Sequence, residues 1–183
     1  MPWSLQRFQQ SGQTHFITFS CYHREALFTG NISKSTFEAA LGRVRQKFRL
    51  RVYGYVIMPE HVHLPISEPE METLDVALKS LKQSVSRRLI GNRDHFWQKR
   101  YYDFNIRKHR QLVEKLRYIH RNPVKRGLCE RPEDWVWSSF RHYASGSDGR
   151  IEIESEWTAR KGERAAGRLN PALELPHSSQ RRA

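Results

Sequence analysis

Cysteine is nearly absent: Cys21 and Cys129 are the only two in 183 residues, too few and too far apart for a disulfide framework or a thiolate metal centre. No apolar run approaches the roughly 18 residues that cross a bilayer. The N-terminal MPWSLQRFQQ lacks the apolar stretch of a signal peptide, so no membrane partner and a cytoplasmic location are expected. There is no Gly-rich P-loop pattern, hence no sign of an ATP site, and no internal repeat. Acidic residues are the minority charge, 19 against 32 Lys plus Arg, for a formal net charge of +13 and a pI near 10.2. An excess of that size favours a polyanion, because each neutralised phosphate releases condensed counterions. Basicity alone would suit a ribosomal protein equally well. The length fits one domain and hardly two.

The most informative stretch is RVYGYVIMPEHVHLPIS, residues 51–67. Two β-branched and aromatic runs, Val52 to Met58 and Val62 to Ile66, flank Pro59 and Glu60, the pattern of two strands joined by a tight turn. His61 and His63 fall on the second strand. Residues i and i+2 of a strand project to one side about 6 to 7 Å apart, so two imidazoles there can converge on one ion or phosphate. By itself such a pair fits a sheet surface equally well.

A second segment, residues 96–143, changes the balance. His109 to Arg121 contains neither Gly nor Pro and reads as a helix ending before Pro123. At about 100° per residue, Leu112, Leu116 and Ile119 form one stripe with Val113 and His120 at its edge. Tyr118 falls roughly 150° from the centre of that stripe. Lys115 and Asn122, three residues before and four after, share its polar face. A tyrosine in a helix is ordinarily half-buried packing, and here the amphipathic geometry argues against that reading.

Taken together, MPEHVHL, the WQKRYYDFNIR run and YIHRNPVKRG resemble the single-tyrosine transposases of the His-hydrophobic-His (HUH) endonuclease superfamily, most closely the REP-associated tyrosine transposases. The resemblance covers about residues 12–143. It implies a single-stranded DNA endonuclease and strand transferase in which His61, His63 and a third polar ligand, matched by Asn122, hold Mg²⁺ or Mn²⁺. It also implies that Tyr118 is the nucleophile, forming a covalent 5′-phosphotyrosine with a hairpin-bearing single strand. In related insertion-sequence enzymes the position of Asn122 is commonly Gln. A tyrosine suits reversible joining, since a phenol with a pKa near 10 leaves far more readily than an alkyl alcohol.

The rest of the chain supplies a frame. Gln13 to Tyr22 reads as a strand, and Asn31 or Ser33 can cap a helix carrying Phe37, Leu41, Val44 and Phe48. Leu74 to Leu89 repeats an apolar stripe that Gly91 stops. In FWQKRYYDFNIRK, Tyr102, Phe104 and Ile106 read as core residues of a strand, whereas Trp97, Lys99 and Arg100 are expected to touch nucleic acid by stacking and charge. Lys115 and Lys125 are further candidates for phosphate contact. The order strand, helix, strand, strand, helix, strand, helix is that of an α+β, ferredoxin-like antiparallel sheet with helices packed on one face, the other face being left free. Residues 1–144 are expected to form the transposase-like domain, and residues 145–183 a linker and a mobile basic tail in which residues 151–157 can add a short strand. The same constellation would serve a replication initiator or relaxase, and a non-catalytic ferredoxin-like nucleic-acid-binding protein is the alternative outside the enzymes. Monomer and homodimer are equally compatible with the sequence.

Overall fold

The computed structural model describes residues 12–165. The expected mobility of the last twenty or so residues falls mostly outside them. Four antiparallel strands form one sheet in the order β2-β3-β1-β4, where β1 is Thr14–Ser20, β2 Val56–Ile57, β3 His61–Ser67 and β4 Tyr102–Ile106. Strands β1 and β2 are joined through helix α1, Asn31–Phe48, and β3 and β4 through α2, Leu74–Leu89. This is the ferredoxin-like arrangement expected of the element order.

Alternation along the strands decides what each face carries. Ile17 and Phe19 of β1, Cys21 just beyond it, and Val62, Leu64 and Ile66 of β3 join Phe37, Leu41, Val44, Leu78, Leu81 and Val85 of α1 and α2 in the main core. The intervening residues, including Phe16, His61 and His63, face the other way. That second face is not free: helix α3, His109–Lys125, lies across it, with Leu116 and Ile119 packed on Phe16, Val56, Met58 and Ile106.

The helix ends later than the sequence suggests, because Pro123 is accommodated inside its last turn and buried there. The φ that proline imposes is helical, but its missing N–H removes one helix bond and its ring crowds the carbonyl four residues back. The strand expected over Val52 to Met58 is also shorter. Tyr55 N–H donates to Ser139 Oγ at 3.0 Å and Tyr55 C=O accepts from Ser139 N–H at 3.0 Å. Those groups are taken out of the sheet ladder, and only Val56–Ile57 remains regular.

Packing does not stop at residue 144. Helix α4, Phe140–Ser145, leads into a segment whose Ile151 and Ile153 are buried in the main core, and Glu154 N–H donates to Val52 C=O at 2.8 Å. Helix α5, Glu156–Ala165, follows. The expected boundary at 144/145 therefore does not coincide with an edge of the core. Residues 151–157 supply two buried isoleucines without forming a strand. No helix among the described residues is long and apolar enough to cross a membrane.

Candidate active site

The register of the sheet builds the site. His61 pairs with Ser20 and His63 with Thr18, and both rings project toward α3 with 4% and 6% exposure. Their Nε2 atoms lie 3.0 Å apart. The turn placed before β3 sets Glu60 against His61, whose Nδ1 donates to Glu60 Oε1 at 3.1 Å. Since an ionised carboxylate only accepts, a neutral His61 carries its proton on Nδ1 and offers Nε2. Behind the second ring, Thr18 Oγ1 is 2.7 Å from His63 Nδ1; when this hydroxyl accepts, His63 offers Nε2 as well.

Helix α3 completes the cluster. The side-chain amide of Asn122, 7% exposed, is 3.2 Å from His63 Nε2, and rotating that amide presents its oxygen at the same place. Asn122 is therefore buried against the sheet rather than displayed on a polar surface. Tyr118, one turn earlier, remains 45% exposed. Its ring stands edge-on to His63 at 5.3 Å and to Phe16 at 6.5 Å. Lys115 places Nζ 4.6 Å from the Phe16 ring and 4.8 Å from the Phe104 ring, a cation held beside the pair by two aromatic faces.

Burial favours the neutral form of both imidazoles. Burial lowers the pKa of His61, partly opposed by Glu60. Burial, then the charges of His61 and Lys115, pushes His63 down to about 3. Burial alone would raise Glu60, but His61 and the Arg126 guanidinium hold its carboxyl below the usual range.

These groups fit a divalent cation. Two nitrogens at about 2.1 Å from an ion and about 90° apart are separated by about 3.0 Å, as the Nε2 atoms are, and the hydrogen bonds made at each Nδ1 leave Nε2 as the lone-pair nitrogen. Imidazole, amide oxygen and water suit Mn²⁺ and are tolerated by Mg²⁺. Among the described residues no three His, Cys, Asp or Glu side chains gather as a metal cluster; the polar group of α3 beside His63 Nε2 is the Asn122 amide, at 3.2 Å.

The other expected contacts divide. Lys99, Arg100 and Lys125 are exposed. Trp97 is not available for stacking on bases. It bridges Cys21 across the sheet, projects to the α1/α2 face as Cys21 does, and is 8% exposed among Phe19, Phe28, Phe37 and Phe96. Tyr102, expected in the core, is 41% exposed. Its partner Thr18 faces α3, so Tyr102, Thr18 and His63 form one row across the site face. Glu60 and Tyr102 are the functional candidates that sequence reasoning missed. For Tyr102 the missing signal was register; for Glu60 it was Arg126, a partner on another element.

A family model described as IS200-like transposase matches residues 9–122. The chain is 30% identical over 143 residues to a protein described as a REP-associated tyrosine transposase of Haemophilus influenzae, covering 70% of this chain and 80% of that one. It is 24% identical over 136 residues to the REP-associated tyrosine transposase of Escherichia coli K12, covering 74% and 81%. Its fold is similar to that of a REP-associated tyrosine transposase solved bound to a REP hairpin, with a TM-score of 0.68, 22% identity and coverage of 83% and 92%. The resemblance carried by MPEHVHL and YIHRNPVKRG is thereby borne out. The family match runs from before β1 to the asparagine near the end of α3 and takes in Glu60, His61, His63, Tyr118 and Asn122, and the chain belongs to the IS200-like transposase family.

Proposed function

We propose that this protein cleaves and rejoins single-stranded DNA next to hairpin elements of the REP type, with Tyr118 as the nucleophile. The observation that carries the proposal is an exposed phenol whose ring stands 5.3 Å from that of His63, with His61 Nε2 3.0 Å and the Asn122 amide 3.2 Å from His63 Nε2. Tyr118 Oη attacks the phosphorus of the scissile phosphate and gives up its proton to solvent. The bond from phosphorus to the 3′-oxygen breaks, that oxygen leaves as a 3′-hydroxyl after taking a proton, and the 5′-phosphate stays on the tyrosine. Attack by a 3′-hydroxyl reverses the step, so rejoining needs no ATP.

His61, His63 and Asn122 would hold Mg²⁺ or Mn²⁺, which supplies charge neutralisation at the phosphate. The protein's own groups do the rest. Glu60 and Thr18 orient the imidazoles, and Lys115 supplies a fixed positive charge near Tyr118 and His63. Tyr102 offers a stacking face for an unpaired base, with Lys99, Arg100 and Lys125 as phosphate contacts along the strand.

A labelled single-stranded hairpin tests the proposal. Cleavage is expected with Mn²⁺ or Mg²⁺ and is lost in EDTA, in His61→Ala and in His63→Ala; Asn122→Ala shows a milder loss, since water can replace a neutral ligand. Undiminished cleavage in EDTA would exclude a metal role.

A further inference from the structure

Glu60 stands immediately before β3 and is 7% exposed. A single oxygen, Oε1, accepts from His61 Nδ1 at 3.1 Å and pairs with the Arg126 guanidinium at 2.8 Å. Arg126 is the C-cap of α3 and returns its backbone N–H to Asn122 C=O. One turn earlier on the same helix face, Asn122 reaches His63 at 3.2 Å. The end of α3 is thus tied to the start of β3 at two points, Asn122 to His63 and Arg126 through Glu60 to His61. The Arg24 guanidinium, 3.9 Å from the same oxygen and itself exposed, adds only a weak surface attraction.

We propose that Glu60 is a positioning residue that joins the two halves of the site: its carboxylate fixes the ring of His61 and, through the same oxygen, holds the end of the helix that carries Tyr118 and Asn122. The His61 half rests on the metal-dependent reading above; the helix half stands on contacts within the protein. A carboxylate that accepts a hydrogen bond from the Nδ1–H of a histidine fixes both its tautomer and its ring plane, and losing such a partner typically lowers metal affinity about 10- to 100-fold. The helix half matters because Pro123 cannot donate to the carbonyl one turn back. With one backbone bond missing from its last turn, α3 depends more than an ordinary helix end on side-chain ties. Arg126 is half-exposed, but its partner carboxylate is buried and the 2.8 Å contact has the length of a charge-assisted hydrogen bond.

The test uses the full chain, Glu60→Gln, and two readouts other than cleavage: Mn²⁺ affinity from the electron paramagnetic resonance of free Mn²⁺, and hydrogen-exchange protection of amides 119–126 in metal-free protein. Glu60→Gln keeps the shape of the side chain and removes its charge. It is expected to weaken Mn²⁺ binding about 10- to 100-fold and to lower protection at 119–126. Arg126→Met should lower that protection with Mn²⁺ affinity nearly unchanged, and His61→Ala should remove Mn²⁺ binding with protection retained. A folded Glu60→Gln protein that keeps either readout at the wild-type level overturns the proposal. Should Glu60→Gln not fold, unchanged protection in Arg126→Met overturns it instead. A His61→Ala protein with wild-type Mn²⁺ affinity overturns the metal reading, a separate result that leaves the helix half to be decided by protection alone.

Discussion

Trp97 and Tyr102 belong to one basic, aromatic run, yet one is sealed among phenylalanines and the other lies open on the site face. Their truncations therefore separate packing from recognition. Trp97→Ala is expected to cost about 3–5 kcal/mol of stability, the range for emptying a large aromatic from a core, measured by urea unfolding. Tyr102→Ala should leave the unfolding midpoint in place and weaken single-stranded DNA binding roughly 5- to 150-fold, equivalent to about 1–3 kcal/mol for one stacked base. Fluorescence anisotropy reads the second effect. Unchanged affinity in Tyr102→Ala would remove it from the DNA path.

At the scale of elements, α3 owes its seat to a glycine. A Cβ built on Gly54 would come within 2.5 Å of Leu116 Cδ2, 3.0 Å of Ser139 Oγ and 3.4 Å of Ile119 Cδ1. Leu116 and Ile119 are the residues by which α3 packs on the sheet, so Gly54→Ala is expected to push the helix outward. The predicted cost is about 1–3 kcal/mol, as for other overpacked cores, together with slower cleavage because Tyr118 and Asn122 ride on the same helix. Urea unfolding and a cleavage time course check both; unaltered values would mean that the helix seat is softer than the contacts imply.

The same helix shows what could be read in advance. Its apolar stripe has a period of 3.6, so the inward Leu116 and Ile119 and the outward Tyr118 followed from spacing alone, as His61 and His63 followed from the period of two in β3. The burial of Trp97 did not follow, because the pairing of Cys21 with Trp97 decides which face the indole takes, and register is a property of two segments. His15 is a similar case: read as one more residue of an alternating strand, it is fully buried and bonds Asp103 at 2.8 Å and Glu68 at 3.0 Å, partners far away in sequence. The later end of α3 reflects tertiary packing of Pro123 overriding a local signal.

For the whole molecule, these buried histidines set a pH profile. Burial lowers His61, lowers His63 to about 3 and lowers His120 to about 4. The unfolded chain takes up these protons first, so stability is lost as pH falls below about 6.5, the ordinary histidine value. His15 has the opposite sign. Burial alone would lower it, but Asp103 and Glu68 raise its pKa above the ordinary value; its contribution is fully present below about 6.5 and lost as pH rises through the folded value. Urea midpoints should therefore peak near neutral to slightly acidic pH. His15→Gln should flatten the alkaline arm and leave the acid arm; an unaltered alkaline arm would contradict the role given to this histidine.

The net charge of +13 makes binding to DNA at low salt a poor test, because any strongly basic surface binds phosphate. Covalent chemistry at one residue is a sharper one. Wild-type protein and Tyr118→Phe would be incubated with a single-stranded DNA hairpin and Mn²⁺, then denatured and analysed by intact mass and peptide mapping. The predicted result is a 5′-phosphoryl DNA adduct on Tyr118 in the wild type and none in the phenylalanine variant, which still binds the strand. An adduct at another residue, an adduct persisting in Tyr118→Phe, or cleavage without any adduct would contradict the assignment of Tyr118 as the nucleophile.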